Sequence, residues 1–407
     1  MTSASSARAW WWTVLAASAL LMITMGARQS LGLFVSPLNT DTGLGIVAIS
    51  FALAVGQFVW GAAQPIAGAY ADKYGPGRVL AAGVILAAVG MALTPFMTSG
   101  LGLTLMLGIV MAAGAGAGSF SVLIGAAAQR VPAESRGSAS GVINAGGSFG
   151  QFVFAPLVQK LIQVAGWMGA MWSLAALTLL ALPLARVLRR RPAPAGTARA
   201  PDDGGLKHAV KTALADRSYL LLHAGFFTCG FHIAFLVTHL PGEVSLCGLP
   251  PSVASWSLAI IGLANIAGSL AAGYWVNRHR SKYILFWMYF SRAVLVVLFL
   301  LAPKTALTFY LFAIGLGFTW LATVPPTAGV VGKLFGTRYL ATLFGLVFMS
   351  HQIGGFLGAW FAGYLFDTTG SYDIAWMISI GLGVFGALVL LPVSETAPGR
   401  LRSAPAA

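Results

Sequence analysis

The chain has 407 residues, of which 58% are hydrophobic and only 8% are charged, with 24 Lys and Arg against 10 Asp and Glu. This balance excludes an ordinary soluble globular protein, in which roughly a quarter of the residues are charged. Runs of about 20 apolar residues recur along the whole length, and each is long enough to cross a bilayer. Within lipid such runs must be helical, because their backbone groups need partners inside the segment. The composition predicts an all-α membrane protein.

We predict twelve membrane-spanning helices. The first directly follows the sequence WWW at 10–12, precedes eleven others and is longer than the apolar core of a signal peptide, so we interpret it as a retained span. The predicted spans are 13–37, 46–70, 77–98, 101–128, 138–160, 165–187, 218–241, 252–275, 282–302, 305–330, 340–364 and 373–393.

The basic residues mark one side of the predicted membrane. The Lys and Arg residues lie at the termini, in the even-numbered connections or within two residues of those connections, except Arg28, Lys160, Arg292 and Lys304. By the positive-inside rule, both termini are predicted to be cytoplasmic. Topology therefore accounts for the net charge of +14, and we predict no nucleic-acid partner. A bacterial inner membrane is the expected location.

Residues 189–217 separate the sixth span from the seventh. They are rich in Pro, Ala, Gly and charge, which is typical of a solvated linker. At their end, Leu206, Val210 and Leu214 share one helical face, which predicts a short amphipathic helix on the inner membrane surface. The linker divides the chain into an N-terminal six-helix bundle, 1–188, and a C-terminal one, 218–407.

Short matches indicate that the two halves are repeats. GAR at 26–28 corresponds to GFH at 230–232, and GAYADKYGPGRVL at 68 corresponds to GYWVNRHRSKYIL at 273. Arg136 and Gly141 likewise correspond to Arg338 and Gly345. Transporters built from repeats bind their substrate near the bilayer midplane, where the repeats meet.

The stretch GAYADKYGPGR at 68–78 resembles the signature loop between the second and third spans of the major facilitator superfamily. The second copy departs from this pattern, since Asn277 replaces the acid. The resemblance implies two pseudo-symmetric six-helix bundles around a central cavity, alternating access, and a monomer as the working unit. In that family the loop charges brace the bundles on the cytoplasmic side. The same gating role is expected here of Asp72, Lys73, Arg78, Arg136 and Arg278.

Two further stretches narrow the resemblance. GARQSLGLFVSPL in the first span and SHQIGGFLGAWFAG in the eleventh resemble the bacterial monocarboxylate porter and oxalate–formate antiporter branch. That branch has a basic residue in its eighth span, and residues 252–275 contain none.

The predicted membrane interior carries cations and no deep acid. An intramembrane charge is costly and is by default a functional hypothesis. Arg28 lies in the first span, about 22 Å from its inner end at 1.5 Å per residue. A guanidinium suits carboxylate or phosphate, because its fork donates two parallel hydrogen bonds. We therefore predict that Arg28 binds an anionic substrate, the alternative being an arginine whose head reaches the outer headgroups.

Other intramembrane polar groups complete the predicted site. His232 corresponds to Arg28 in the second half, and His351 precedes a stripe of small residues that allows close helix contact. Both histidines are candidate proton carriers, because imidazole titrates near neutral pH. Arg292 lies in the ninth span, which the family resemblance places at the periphery, and is expected to be structural. The predicted substrate-binding residues are Arg28, His232, His351, Gln352, Asn144, Gln57 and Asn265.

These features favour a secondary transporter of a small organic anion, foremost a monocarboxylate taken up with protons. The alternatives are an exchanger of dicarboxylates or phosphate esters and an efflux pump for lipophilic compounds. A pump for lipophilic cations calls for a buried acid, and none lies deep in a predicted span. A receptor with a transporter fold is a third. Catalytic motifs such as H-E-x-x-H, G-x-S-x-G and a P-loop are missing, so we predict neither an enzyme nor a cofactor or metal. The expected partners are the anion, a proton or counter-anion, and membrane lipid.

Overall fold

The computed structural model describes residues 3–189 and 205–396, and within these ranges the regular structure is helical. The described part of the first half contains nine α-helices: α1 (Ser3–Gln29), α2 (Val35–Thr42), α3 (Ile46–Tyr74), α4 (Pro76–Leu93), α5 (Gly100–Leu103), α6 (Ala112–Ala117), α7 (Phe120–Ala128), α8 (Arg136–Leu179) and α9 (Leu182–Val187). Short 3₁₀ turns at Ser30–Phe34, Thr94–Phe96 and Ala133–Ser135 and a π-helical stretch at Thr104–Met111 join some of them.

The second half of the described chain contains eight α-helices. They are α10 (Gly205–Leu214), α11 (Arg217–Leu246), α12 (Pro251–Val276), α13 (Ser281–Leu301), α14 (Ala306–Thr319), α15 (Val324–Phe335), α16 (Leu340–Thr369) and α17 (Asp373–Leu390).

Eleven helical segments in the described ranges are long and apolar enough to cross a membrane. One of them, Ala133–Val187, has 55 residues and covers both the fifth and the sixth predicted span. Its longest helix, α8, is interrupted at Gly166, whose φ of 69° lies in the left-handed region that glycine adopts without steric cost. The predicted all-α membrane fold is confirmed, and the difference from twelve spans is this one junction.

The described chain forms two compact units. The first comprises the described residues within Met1–Ala133, Val142–Ala209 and Thr337–Leu346. Within it, α6 packs between α3 and α4. Gly114 of α6 lies so close to Ala87 of α4 that a side chain would collide with backbone. The glycine-rich stretch GAGAG at 114–118 thus allows α6 to pack closely against its neighbours.

The second unit comprises the described residues within Glu134–Gly141, Val210–Gly336 and Val347–Ala407. Its core includes the large buried rings of Phe235, Phe299 and Trp376. In the seam between α11 and α16, a side chain at Gly354 or Gly358 would collide with the backbone of Phe227 or Phe231. The predicted small-residue stripe is therefore a close helix contact.

The tenth span is broken in its middle. Helix α14 ends at Thr319, α15 begins at Val324, and Trp320 between them has the non-helical angles φ −49°, ψ −92°. Pro325 and Pro326 occupy the first turn of α15, where a missing N–H costs no helical hydrogen bond. The interruption of the span thus lies just before the two prolines.

The end of the predicted linker is helical, as α10. Lys207 and Lys211 are exposed, and Leu206 and Val210 are half-buried, while Leu214 is exposed. The linker residues 190–204 lie outside the described residues.

Candidate substrate site and gating residues

Arg28 lies in the last turn of α1 and is held by one face of α3. Its Nη1 donates to Oε1 of Gln57 at 2.7 Å, and its guanidinium carbon lies 4.1 Å from the centre of the Trp60 ring. Gln57 and Trp60 are three residues apart on a helix and so share a face. The amide orients the guanidinium fork, and the electron-rich ring face stabilises its charge.

No carboxylate partners Arg28 among the described residues. Its Nε is buried and makes no hydrogen bond there. The Gln57 amide and the Trp60 ring are both uncharged, so they do not neutralise the guanidinium. Some of its N–H donors also remain unused by the described residues. Such a group can bind a carboxylate or a phosphate in a charge-assisted, two-point geometry.

Two further polar side chains of the first unit are almost completely buried. Asn144 on α8 is 1% exposed, and Gln64 on α3 is fully buried. Neither the oxygen nor the nitrogen of the Gln64 side chain makes a hydrogen bond with the described residues. Asn144 was predicted to contact substrate, and that remains a prediction.

His232, His351 and Gln352 are buried in the second unit. Nε2 of His232 lies 2.7 Å from the carbonyl oxygen of Ser379 on α17, so that nitrogen carries the proton and donates it. The His351 ring lies between the rings of Phe226 and Phe348, at centroid distances of 4.9 and 5.2 Å. His232 thus points to α17 and His351 lies in the α11–α16 seam; their roles in binding or proton transfer remain predictions.

Asn265 and Arg292 satisfy backbone groups freed by the break in the tenth span. Oδ1 of Asn265 accepts from the Leu321 N–H at 2.9 Å. Arg292, 1% exposed, donates to the Trp320 carbonyl at 2.5 Å, to the Thr319 carbonyl, and to Thr319 Oγ1 at 3.1 Å. The carbonyl end of α14 carries partial negative charge, which stabilises a cation there.

Asp72 caps the start of α16. Its Oδ2 accepts from the backbone N–H of Thr342 at 2.8 Å and from the Thr342 hydroxyl at 2.7 Å. Thr342 is in the first turn of α16, where N–H groups have no helical partner and a negative charge is favourable. This single carboxylate therefore fixes the last turn of α3 to the beginning of the eleventh span.

Asn277 makes the corresponding contact in the second unit. Its Oδ1 accepts from the Gly137 N–H at 2.8 Å, and its Nδ2 donates to Ser138 Oγ at 2.7 Å, both in the first turn of α8. The amide thus caps a helix start as Asp72 does, without a charge. The departure from the acidic loop pattern preserves the contact.

The remaining predicted gating residues are exposed cations. Nζ of Lys73 lies 5.0 Å from the centre of the Tyr74 ring, and the guanidinium carbon of Arg278 lies 4.0 Å from the centre of the Tyr274 ring. Arg78 lines a cavity of about 400 Å³ together with Arg189. Arg136 is the first residue of α8. Their gating roles remain predictions.

Sequence reasoning missed three contributors. Trp60 is one of many aromatic residues in the predicted spans, so its type alone does not single it out. Only its spacing of three from Gln57 could have suggested that it contacts Arg28. Thr342 carries no motif. Cys229 stands in no sequence motif, yet its Sγ lies 3.3 Å from Nη1 of Arg292.

The chain belongs to the Major Facilitator Superfamily, whose family model matches residues 17–358 and 245–407. The protein is thus a multi-pass membrane transporter of the secondary type and not an enzyme. Its fold is similar to the proton:xylose symporter XylE, with a TM-score of 0.76 at 15% identity over 96% of this chain and 97% of that one. The fold is also similar to the fucose:proton symporter FucP of E. coli, with a TM-score of 0.71 at 16% identity over 94% of this chain and 98% of that one.

Among curated proteins, the chain is similar to monocarboxylate transporter 13 of Rattus norvegicus, with 29% identity over 91% of this chain and 86% of the relative. It is also similar to monocarboxylate transporter 11 of Homo sapiens, with 25% identity over 92% of this chain and 81% of the relative. An uncharacterized MFS-type transporter of Bacillus subtilis, YcxA, is 22% identical over 90% of each chain. The resemblance drawn from the loop motif is confirmed.

Proposed function

We propose that this protein carries small monocarboxylate anions across the bacterial inner membrane together with protons, by alternating access, with both termini in the cytoplasm. The observation that carries the proposal is Arg28: a membrane-embedded guanidinium oriented by Gln57 and Trp60 and lacking a carboxylate partner in the described chain. The distant similarity to monocarboxylate transporters supports the same substrate class.

A monocarboxylate matches the site in charge and geometry. Its two oxygens fit the guanidinium fork, and its single charge neutralises the single charge of Arg28. A dicarboxylate or a phosphate ester would bring a second negative charge. Among the described residues, the contacts of Arg28 include no second cation to neutralise it.

The test is a binding and uptake panel on the purified protein. The probes are pyruvate, lactate and benzoate, then succinate, glycerol 3-phosphate and the lipophilic cation tetraphenylphosphonium. A ligand present at 100 times its dissociation constant stabilises the folded protein by about 2.7 kcal/mol, which a thermal-shift measurement detects. Uptake of the same probes into proteoliposomes follows, with and without an inward proton gradient.

Two variants make the result specific. Arg28→Gln removes the charge, and Arg28→Lys keeps the charge but removes the fork. We expect monocarboxylates to protect the wild type, to protect Arg28→Lys more weakly and to leave Arg28→Gln unprotected. Equal protection of all three proteins, or protection by the cation alone, would refute the proposal.

A further inference from the structure

The second unit contains a buried cluster centred on the thiol of Cys229. This residue of α11 is fully buried. Its Sγ lies 3.3 Å from Nη1 of Arg292, 3.3 Å from Oγ1 of Thr323 and 3.8 Å from the carbonyl oxygen of Trp320. A charged donor, a hydroxyl and a carbonyl thus converge on one sulfur atom beside the break in the tenth span.

Arg292 lacks an acidic partner in the described chain. The oxygens that accept its hydrogen bonds belong to Thr319 and Trp320 and are neutral. A buried guanidinium that is balanced only by dipoles remains costly. Two of its neighbours can become anions, namely the Cys229 thiol and the Tyr289 phenol, whose ring centre lies 5.4 Å away. Of the two, a thiol ordinarily ionises at the lower pH.

Both protonation states of the sulfur have partners. As a thiol, Cys229 can donate to the Trp320 carbonyl; as a thiolate, it can accept from Arg292 and from the Thr323 hydroxyl. A site that satisfies both states can gain and lose a proton without leaving a buried group unpaired.

His351 offers a place for the proton. It lies on α16 against α11: a side chain at Gly230, the residue after Cys229, would collide with the His351 carbonyl, and the His351 ring packs against Phe226. Neither of its ring nitrogens makes an ordinary hydrogen bond with the described residues, although the side chain is 94% buried. The ionisable groups around the thiol are Arg292 and Tyr289 from α13 and His351 from α16, while His232 lies three residues further along α11.

We propose that Cys229 is the group that binds and releases the coupled proton, its thiolate being held by Arg292. The S–H bond breaks, the proton passes to a ring nitrogen of His351, and the electron pair stays on sulfur opposite the guanidinium. Protonation reverses this step and leaves Arg292 to the carbonyls of Thr319 and Trp320, at the break between α14 and α15. The proposal rests on the proton-coupled transport proposed above. It assigns to a cysteine the proton-carrying role that a buried carboxylate would otherwise have.

The first test measures the thiolate itself and needs no substrate. Since the chain contains two cysteines, Cys247→Ser leaves Cys229 as its only thiol. Cys247 lies just beyond α11, where burial and the Glu243 carboxylate raise its pKa, so it would obscure a titration only at higher pH. Thiolate absorbance near 240 nm is followed from pH 5 to pH 9 in detergent, with Cys229→Ser in the same background as the blank.

We expect a thiolate signal at pH 7 in Cys247→Ser and a loss of about tenfold when Arg292→Gln is added, since removing the cation favours the thiol. Arg292→Lys should retain most of the signal. If Arg292→Gln does not fold, Thr323→Val, which removes the hydroxyl donor, should give a smaller loss. A thiol that stays protonated up to pH 9 in the background protein would overturn the ion pair.

The second test separates coupling from binding in proteoliposomes loaded with lactate. Cys229→Ser should retain counterflow, the exchange of labelled for unlabelled lactate, to within about twofold, because exchange needs no net proton movement. It should lose at least tenfold of the accumulation driven by a pH gradient. Undiminished accumulation would overturn the coupling role. If the wild type transports no carboxylate, the proposed function fails and the coupling role with it, while the absorbance titration still decides the ion pair.

Discussion

Asp72 accepts two hydrogen bonds from Thr342, one from the backbone N–H and one from the hydroxyl, across 270 positions of sequence. The carboxylate is 8% exposed, so its contact with the start of α16 is largely shielded from water. The acid of the GAYADKYGPGR loop therefore has a definite physical role, because it satisfies the first turn of the eleventh span.

Asp72→Ala removes the acceptor and leaves the Thr342 N–H unsatisfied. We expect the unfolding free energy to fall by about 1–3 kcal/mol, as for other buried donors that lose their partner. Thermal unfolding in detergent measures the change. Asp72→Asn, which retains an oxygen acceptor, should lose less than half as much, and a loss equal to that of Asp72→Ala would show that charge rather than hydrogen bonding stabilises the contact.

Asn277 allows the reciprocal exchange. Asn277→Asp keeps the acceptor for the Gly137 N–H, and the Ser138 hydroxyl can rotate to donate to the second oxygen. We therefore expect Asn277→Asp to fold normally with a stability within about 1 kcal/mol of the wild type, whereas Asn277→Leu should lose about 1–3 kcal/mol. A larger loss in Asn277→Asp than in Asn277→Leu would contradict this account of the cap.

Much of the fold could be predicted from the sequence, because length and hydropathy alone define a membrane helix. The matched stretches at 68 and 273 predicted a repeat, and Asp72 and Asn277 cap helices in the same manner. Contacts between residues far apart in sequence were less predictable. Nothing in the order of residues places Cys229 beside Arg292 or shows that His351 faces a helix seam, since both depend on how α11, α13 and α16 are rotated about their axes.

The Arg28 site was predicted in part. A lone arginine in an apolar run is visible in any hydropathy profile, and Gln57 was among the candidate residues. The aromatic partner was not identified, because a tryptophan in a membrane helix is as compatible with packing as with a cation contact. The expected role of Arg292 as a structural residue agrees with its bonds to the broken tenth span, but its contact with a thiol has no sequence signature.

Trp60 should contribute to anion binding through Arg28. Because the ring face stabilises the guanidinium by about 0.5–2 kcal/mol, its removal frees the side chain from its binding orientation. We expect Trp60→Leu to raise the KM for a transported monocarboxylate several-fold with little change in kcat, and Trp60→Phe to give a smaller increase. Trp256 on α12, which is 63% exposed, provides the control: Trp256→Leu should leave KM unchanged. Equal effects of Trp60→Leu and Trp256→Leu would indicate a general loss of stability.

The glycine seam between α11 and α16 places His351 beside Gly230, the residue after Cys229, and it should tolerate no side chain. A methyl group at Gly354 would collide with the carbonyl oxygen of Phe227, so α16 must move away from α11. Overpacking of this kind costs about 1–3 kcal/mol, and we expect Gly354→Ala to lower the unfolding temperature accordingly. Gly262→Ala on α12, where a methyl group meets no atom within 4 Å, is the matched control and should unfold at the wild-type temperature or slightly above it. Since the seam also positions the imidazole, Gly354→Ala should weaken gradient-driven accumulation more than counterflow, and a uniform loss of both would show that the seam serves packing alone.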